Sequence, residues 1–184
     1  MAKRVIRGEL SSKGIQSIID QLQDYKQDLH RKAELLCQKL AEAGLKVAEA
    51  SIKESPFGNY VSVRIDIEPS KAGCKAVLIA NGQTKTSTWQ TKDGVKSATI
   101  SCLAMVEFGS GVTKNKTINP KASEFGMGPG TFPGQTHAGE KVWYWMDLDG
   151  LWHFSSGIEA TMPMYNASVV IRQQVAAIAK EVFG

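Results

Sequence analysis

Five side chains late in the chain have the donor types that hold a divalent cation: His137, Glu140, Asp147, Asp149 and His153. Imidazole and carboxylate ligands suit zinc and similar ions. Their spacing follows no metal-site pattern, neither histidine stands in a His-Glu-x-x-His arrangement, and Asp147-Leu-Asp-Gly150 is an ordinary turn sequence. There is no Gly-x-Ser-x-Gly elbow, phosphate loop or dinucleotide fingerprint. Cys37, Cys74 and Cys102 are odd in number and widely separated, so they read as buried free thiols. The expectation is a protein without catalysis, metal or cofactor.

What the chain does offer is contact surface. Trp143, Trp145 and Trp152 flank a turn, and alternating aromatics of this kind pack a core or an interface. Phe125, Met127 and Phe132 are the few large apolar residues of a long glycine-rich stretch, which a partner surface would bury. Glu107 and Phe108 end an apolar run, and the Glu107 carboxylate is a candidate partner for a lysine of an adjoining subunit. These eight residues form the candidate interface.

Charge is distributed unevenly. The formal net charge is +4, but between Lys71 and Lys121 eight lysines face only Asp93 and Glu107. From Ala122 to Tyr165 the balance reverses, with five acids against Lys141. A basic middle and an acidic late segment suit charge complementarity between subunits, or a basic surface facing DNA without sequence preference. No helix-turn-helix or zinc-finger signature accompanies the lysines. The N-terminus is followed by no apolar run of about 20 residues, so the expectation is synthesis in the cytoplasm and no membrane partner.

The elements that must position these residues follow from periodicity. The 184 residues read as one domain. Residues 1–21 form an arm and a short helix, with Ser11 and Ser12 offering N-cap oxygens. Over 22–55, Leu22, Tyr25, Leu29, Ala33, Leu36, Leu40, Ala43 and Val47 step by three and four, the stripe of a long amphipathic helix stopped by Pro56. From Tyr60 the period becomes two, and 60–108 reads as an antiparallel meander whose last strand runs from Val95 to Phe108. Asn81-Gly82 and Asp93-Gly94 mark hairpin turns within it. A Gly/Pro-rich loop spans 109–141, an aromatic hairpin 142–156 and a C-terminal helix 164–183, capped by Asn166 and packed on the sheet. The fold class is α+β.

Three segments also resemble a known family. Val106-Glu-Phe-Gly-Ser-Gly111 looks like the acidic-aromatic-glycine element ending a core strand in the phage tail-completion, or head–tail joining, proteins of long-tailed bacteriophages. Gly157-Ile-Glu-Ala-Thr-Met-Pro-Met-Tyr-Asn-Ala167 is similar to that family's closing element, in which a proline and a bulky apolar residue precede the last helix. The charged helix ending at Ser55-Pro56-Phe57-Gly58 stands where the family has its helix, proline-glycine segment and first strand. The sequence departs from the pattern at Phe57-Gly58-Asn59 and in the long stretch from Val112 to Ser156.

The resemblance implies a structural virion protein of the neck, made in the host bacterial cytoplasm. It would form a homo-oligomeric ring, with six subunits the order it suggests. Its partners would be neighbouring connector, tail-tube or terminator proteins, with genome DNA passing nonspecifically through the channel. A tail terminator capping the tube is the alternative, and a nonspecific DNA-binding protein the next.

Overall fold

The computed structural model describes residues 6–70, 73–111, 113–114, 117–127 and 140–184, with the side chains of Trp143 and Trp145 outside that set. The fold is α+β: two long helices, a short one and two antiparallel sheets.

Helix α1 runs from Ser12 to Glu54 without interruption. Ser11 caps it, its hydroxyl accepting from the Gly14 amide at 3.1 Å. Ile15, Ile18 and Ile19 extend the Leu22 stripe by the same steps, so the separate short helix expected before residue 22 is absent. Asp28 pairs with Arg31 and Lys32 on the wet face. Ser55 ends the helix, its amide bonding to Ile52 O ahead of Pro56.

The meander divides in two. Strands β1 (Val61–Ser70) and β2 (Gly73–Gly82) form one hairpin. Strands β3 (Thr84–Thr91) and β4 (Gly94–Ser101) belong to a second sheet of order β4-β3-β5-β6. Asn81-Gly82, expected as a turn, ends β2 instead. A Cβ on Gly82 would lie 2.6 Å from Leu103 Cβ, so this glycine serves close approach. Gly94 does close the β3–β4 hairpin, with φ of +116°.

The expected strand from Val95 to Phe108 stops at Ser101, whose hydroxyl accepts from the Ala104 amide and opens helix α2, Cys102–Phe108. Cys102, Met105 and Val106 are its buried apolar residues, spaced by three and one, a helical face inside an apolar run too short for its period to be read from sequence. A 3-10 turn at Ala122–Phe125 lies within the expected loop. Strands β5 (Trp143–Met146) and β6 (Trp152–Ser155) form the expected hairpin, joined to β3 through Gln90 and Met146.

Helix α3 (Pro163–Phe183) lies antiparallel to α1, with Asn166 near Ser51 at one end and Glu181 near Lys39 at the other. Asn166 is inside its first turn and does not cap it. Packing against α1 dominates, and the β1–β2 hairpin joins over Gly44, where a Cβ would lie 2.6 Å from Ile171 Cδ1 and 3.6 Å from Leu78 Cδ2. The buried core is built largely of small residues, including Ala41, Ala48, Ala160 and Ala167.

Because that contact is already closed, Gly44→Val should destabilise the fold by about 1–3 kcal/mol through overpacking. Ala50→Val, on the exposed face of the same helix, should stay within about 0.5 kcal/mol. Urea unfolding of both variants checks this, and equal midpoints would contradict the packing.

Candidate assembly interface

Helix α3 begins under a constraint. Its first residue is Pro163, and the preceding Met162 sits at φ 51°, ψ 49°, with no side chain of its own segment capping the helix. The free amides of the first turn are answered from α2. Glu107 Oε2 accepts from the Met164 amide at 2.9 Å and Oε1 from the Tyr165 amide at 3.0 Å. A carboxylate at a helix N-terminus also meets the positive end of the helix dipole. Asn119 Nδ2 donates to the same Oε1 at 2.8 Å, and Asn119 Oδ1 accepts from the Lys121 amide at 2.9 Å.

The backbone around it is tied as well. Val106 O accepts from the amides of Thr161 and Met162, and Ser110 and Ile158 exchange two bonds of 2.8 Å. Glu107 is 8% exposed and Asn119 2%. The sequence offers Glu107 as a strand-end carboxylate open to a neighbouring subunit's lysine. The structure places it on a helix, buried, and bonded to its own chain. Asn119, missed in the sequence, had one signal: it precedes Pro120, a pairing that starts turns.

Beside this cluster lies an apolar groove of about 460 Å³ lined by Leu103, Ala104, Phe108, Phe125, Met164 and Tyr165, among others. Phe108 and Phe125 meet with ring centroids 5.5 Å apart, and Phe125 remains 63% exposed. Met127 follows two residues on, its amide bonded to Ala122 O. Phe108 and Phe125 thus stand together.

Trp152 occupies a different surface. It is exposed on β6 together with Phe154, and Tyr144, paired across the ladder with Phe154, shares that apolar face. Trp143 and Trp145 belong to β5 by backbone, their side chains lying outside the described residues, as do Phe132 and His137 altogether.

A third surface was not foreseen. All buried residues of α1 lie between Ala41 and Ile52, while Ile15, Ile19, Leu22 and Leu29 are exposed. Among the described residues, the stripe expected to face a core is therefore covered only in its C-terminal half. Lengths account for this: α1 has 43 residues and α3 has 21, about 64 Å against about 31 Å.

Among the described residues no group of three or more His, Cys, Asp or Glu comes together as metal ligands. Asp147 organises its turn, accepting from the Asp149 and Leu151 amides and meeting His153 Nε2 at 2.7 Å. The His153 ring, then the Leu151 amide, hold the Asp147 carboxyl below the ordinary carboxylate range. Of the lysines in the basic middle, Lys75 pairs with Glu68, Lys121 with Glu124, and Lys85 sits 3.5 Å over the Tyr60 ring.

Glu107→Ala should cost about 3 kcal/mol, since it leaves two amides and the Asn119 amide group without their acceptor. Glu107→Gln, which keeps one acceptor oxygen, should cost less. Chemical denaturation reads both, and an unchanged alanine variant would remove the cluster from the stability of the fold. For Asp147 the folded pKa is depressed, so its stabilisation is present above the unfolded value and lost as pH falls through the folded value. Acid titration followed by NMR should loosen the β5–β6 turn in that window, and Asp147→Asn should abolish the step.

Compared with known protein families, characterised proteins and solved structures, the chain matches none.

Proposed function

We propose that this chain is a structural protein of the bacteriophage neck, a ring-forming head–tail connector or tail-completion subunit that joins the DNA-filled head to the tail. The observation that carries the proposal is the contact between Glu107 and the start of α3. Two of the three segments that resemble the tail-completion family, Val106–Gly111 and Gly157–Ala167, lie far apart in sequence and are bonded to each other through Glu107, Val106 and Ser110. The third, at the end of α1, adjoins them through the Asn166 to Ser51 bond.

The surfaces support an assembly role. Exposed apolar residues gather on the overhanging half of α1, on the Phe108–Phe125 groove and on the β5–β6 hairpin. Contiguous exposed apolar area of this kind marks interaction sites. Several unlike patches on one subunit suit heterologous contacts, in which each copy meets the next through a different surface and the rotation closes a ring.

Interrupting the gene in a phage that carries it should yield DNA-filled heads and finished tails that fail to join, seen by electron microscopy of the lysate. Purified protein added back should restore joining. Overlong tails would point to the terminator position instead, and complete infectious particles would overturn the proposal. In the same complementation, Trp152→Glu or Phe125→Glu should lower the titre by about thirtyfold or more, as loss of an interface anchor does, with the circular dichroism spectrum unchanged.

A further inference from the structure

Two of the three cysteines do not stay apart. Cys37 is on α1 and Cys74 is the second residue of β2, and both are half-buried, whereas Cys102 is fully buried. The Cys37 thiol donates to the Cys74 carbonyl at 3.3 Å. In the hairpin ladder Cys74 stands opposite Pro69, which has no N–H, so the strand itself supplies no donor from that residue. Further along the same faces, Gly44 of α1 lies against Leu78 of β2, so helix and strand run close together from one site to the other.

We propose that Cys37 and Cys74 are a redox-closable pair, forming an intramolecular disulfide that staples α1 to the β1–β2 hairpin when the protein meets a small-molecule disulfide. This stands apart from the neck reading. Both residues are partly exposed, so a reagent such as oxidised glutathione can approach, and the Cys37 thiol lies against the Cys74 backbone at a contact between elements distant in sequence.

The chemistry is ordinary thiol–disulfide exchange. The Cys37 thiolate attacks one sulfur of oxidised glutathione, forming a mixed disulfide and releasing one glutathione thiolate. The Cys74 thiolate then attacks the Cys37 sulfur of that mixed disulfide, forming the Cys37–Cys74 bond and releasing the second glutathione. Two protons leave the protein thiols, and two electrons pass to the reagent, which ends as two thiols. Burial, followed by the neighbouring Cys37 and Glu34, pushes the Cys74 thiol up, which makes Cys74 the slower, resolving partner. In a reducing cytoplasm the pair stays open, and in an oxidising medium it closes.

The test uses the full chain, reduced and then exposed to oxidised glutathione at neutral pH without denaturant. The expected result is loss of two of the three thiols and a digest containing Cys37 linked to Cys74. The melting temperature should rise by about 5–15 °C and fall back with dithiothreitol. Cys74→Ser should take up one glutathione on Cys37 and show no rise, while Cys102→Ser should behave as the wild type. Stable mixed disulfides on both residues, a linkage between chains or one involving Cys102 would overturn the proposal. A Cys37–Cys74 linkage that leaves the melting temperature unchanged would overturn the stapling.

Discussion

The start of α3 is the point on which the packed half of this protein depends. A helix that begins with proline after a left-handed residue has no capping side chain of its own, yet its first amides lie in a partly buried place where water cannot freely answer them. The Glu107 carboxylate answers them from another helix. One side chain therefore sets the position of α2 against α3. The Val106 and Ser110 backbone ties down Thr161 and Ile158 beside it, and Asn119 links the carboxylate to the turn carrying Phe125. Burying a carboxylate is costly when it stands alone, but here each oxygen accepts at least one hydrogen bond and both face a helix dipole.

Small residues do the remaining work of closing the core. Gly44, Ala41 and Ala48 on α1, with Ala167 on α3, let helices and hairpin approach closely, with Ile171 and Leu78 packed over Gly44. Such a core tolerates added volume poorly, and it leaves many large apolar residues outside. Many of them, including Leu22, Phe125, Trp152 and Phe154, are on the surface. This separation of a small-residue core from large-residue surfaces would suit the assembling subunit proposed above: a fold that holds by itself and apolar area left over for contacts with others.

Length sharpens the same point. Among the described residues the overhanging half of α1 has nothing of equal reach to lie against, since α3 ends near Lys39 and the β1–β2 hairpin near Cys37. Its charged face, with Asp28 paired to Arg31 and Lys32, supports the helix locally, but an exposed ion pair is worth little in water. The arm's order in isolation thus rests on helix propensity and continuity with the packed half more than on tertiary contacts.

The sequence by itself determined whatever depends on neighbours within a few residues. The stripe from Leu22 to Val47, the alternation from Val61 to Ile67, the Gly94 turn and the hairpin around Asp147 to Gly150 are all legible because periods of 3.6 and 2 and turn chemistry are local properties. Tertiary structure decided the rest. Residues 102–108 become a helix because Ser101 caps it and Cys102 and Val106 find a core, although the run reads equally as a strand. Glu107 turns inward because partners 57 residues away need an acceptor. Cys37 meets Cys74 only once α1 lies along β2. Periodicity tells which face of α1 is apolar, but whether anything covers that face is set by where other elements end in space, and no local pattern carries that distance.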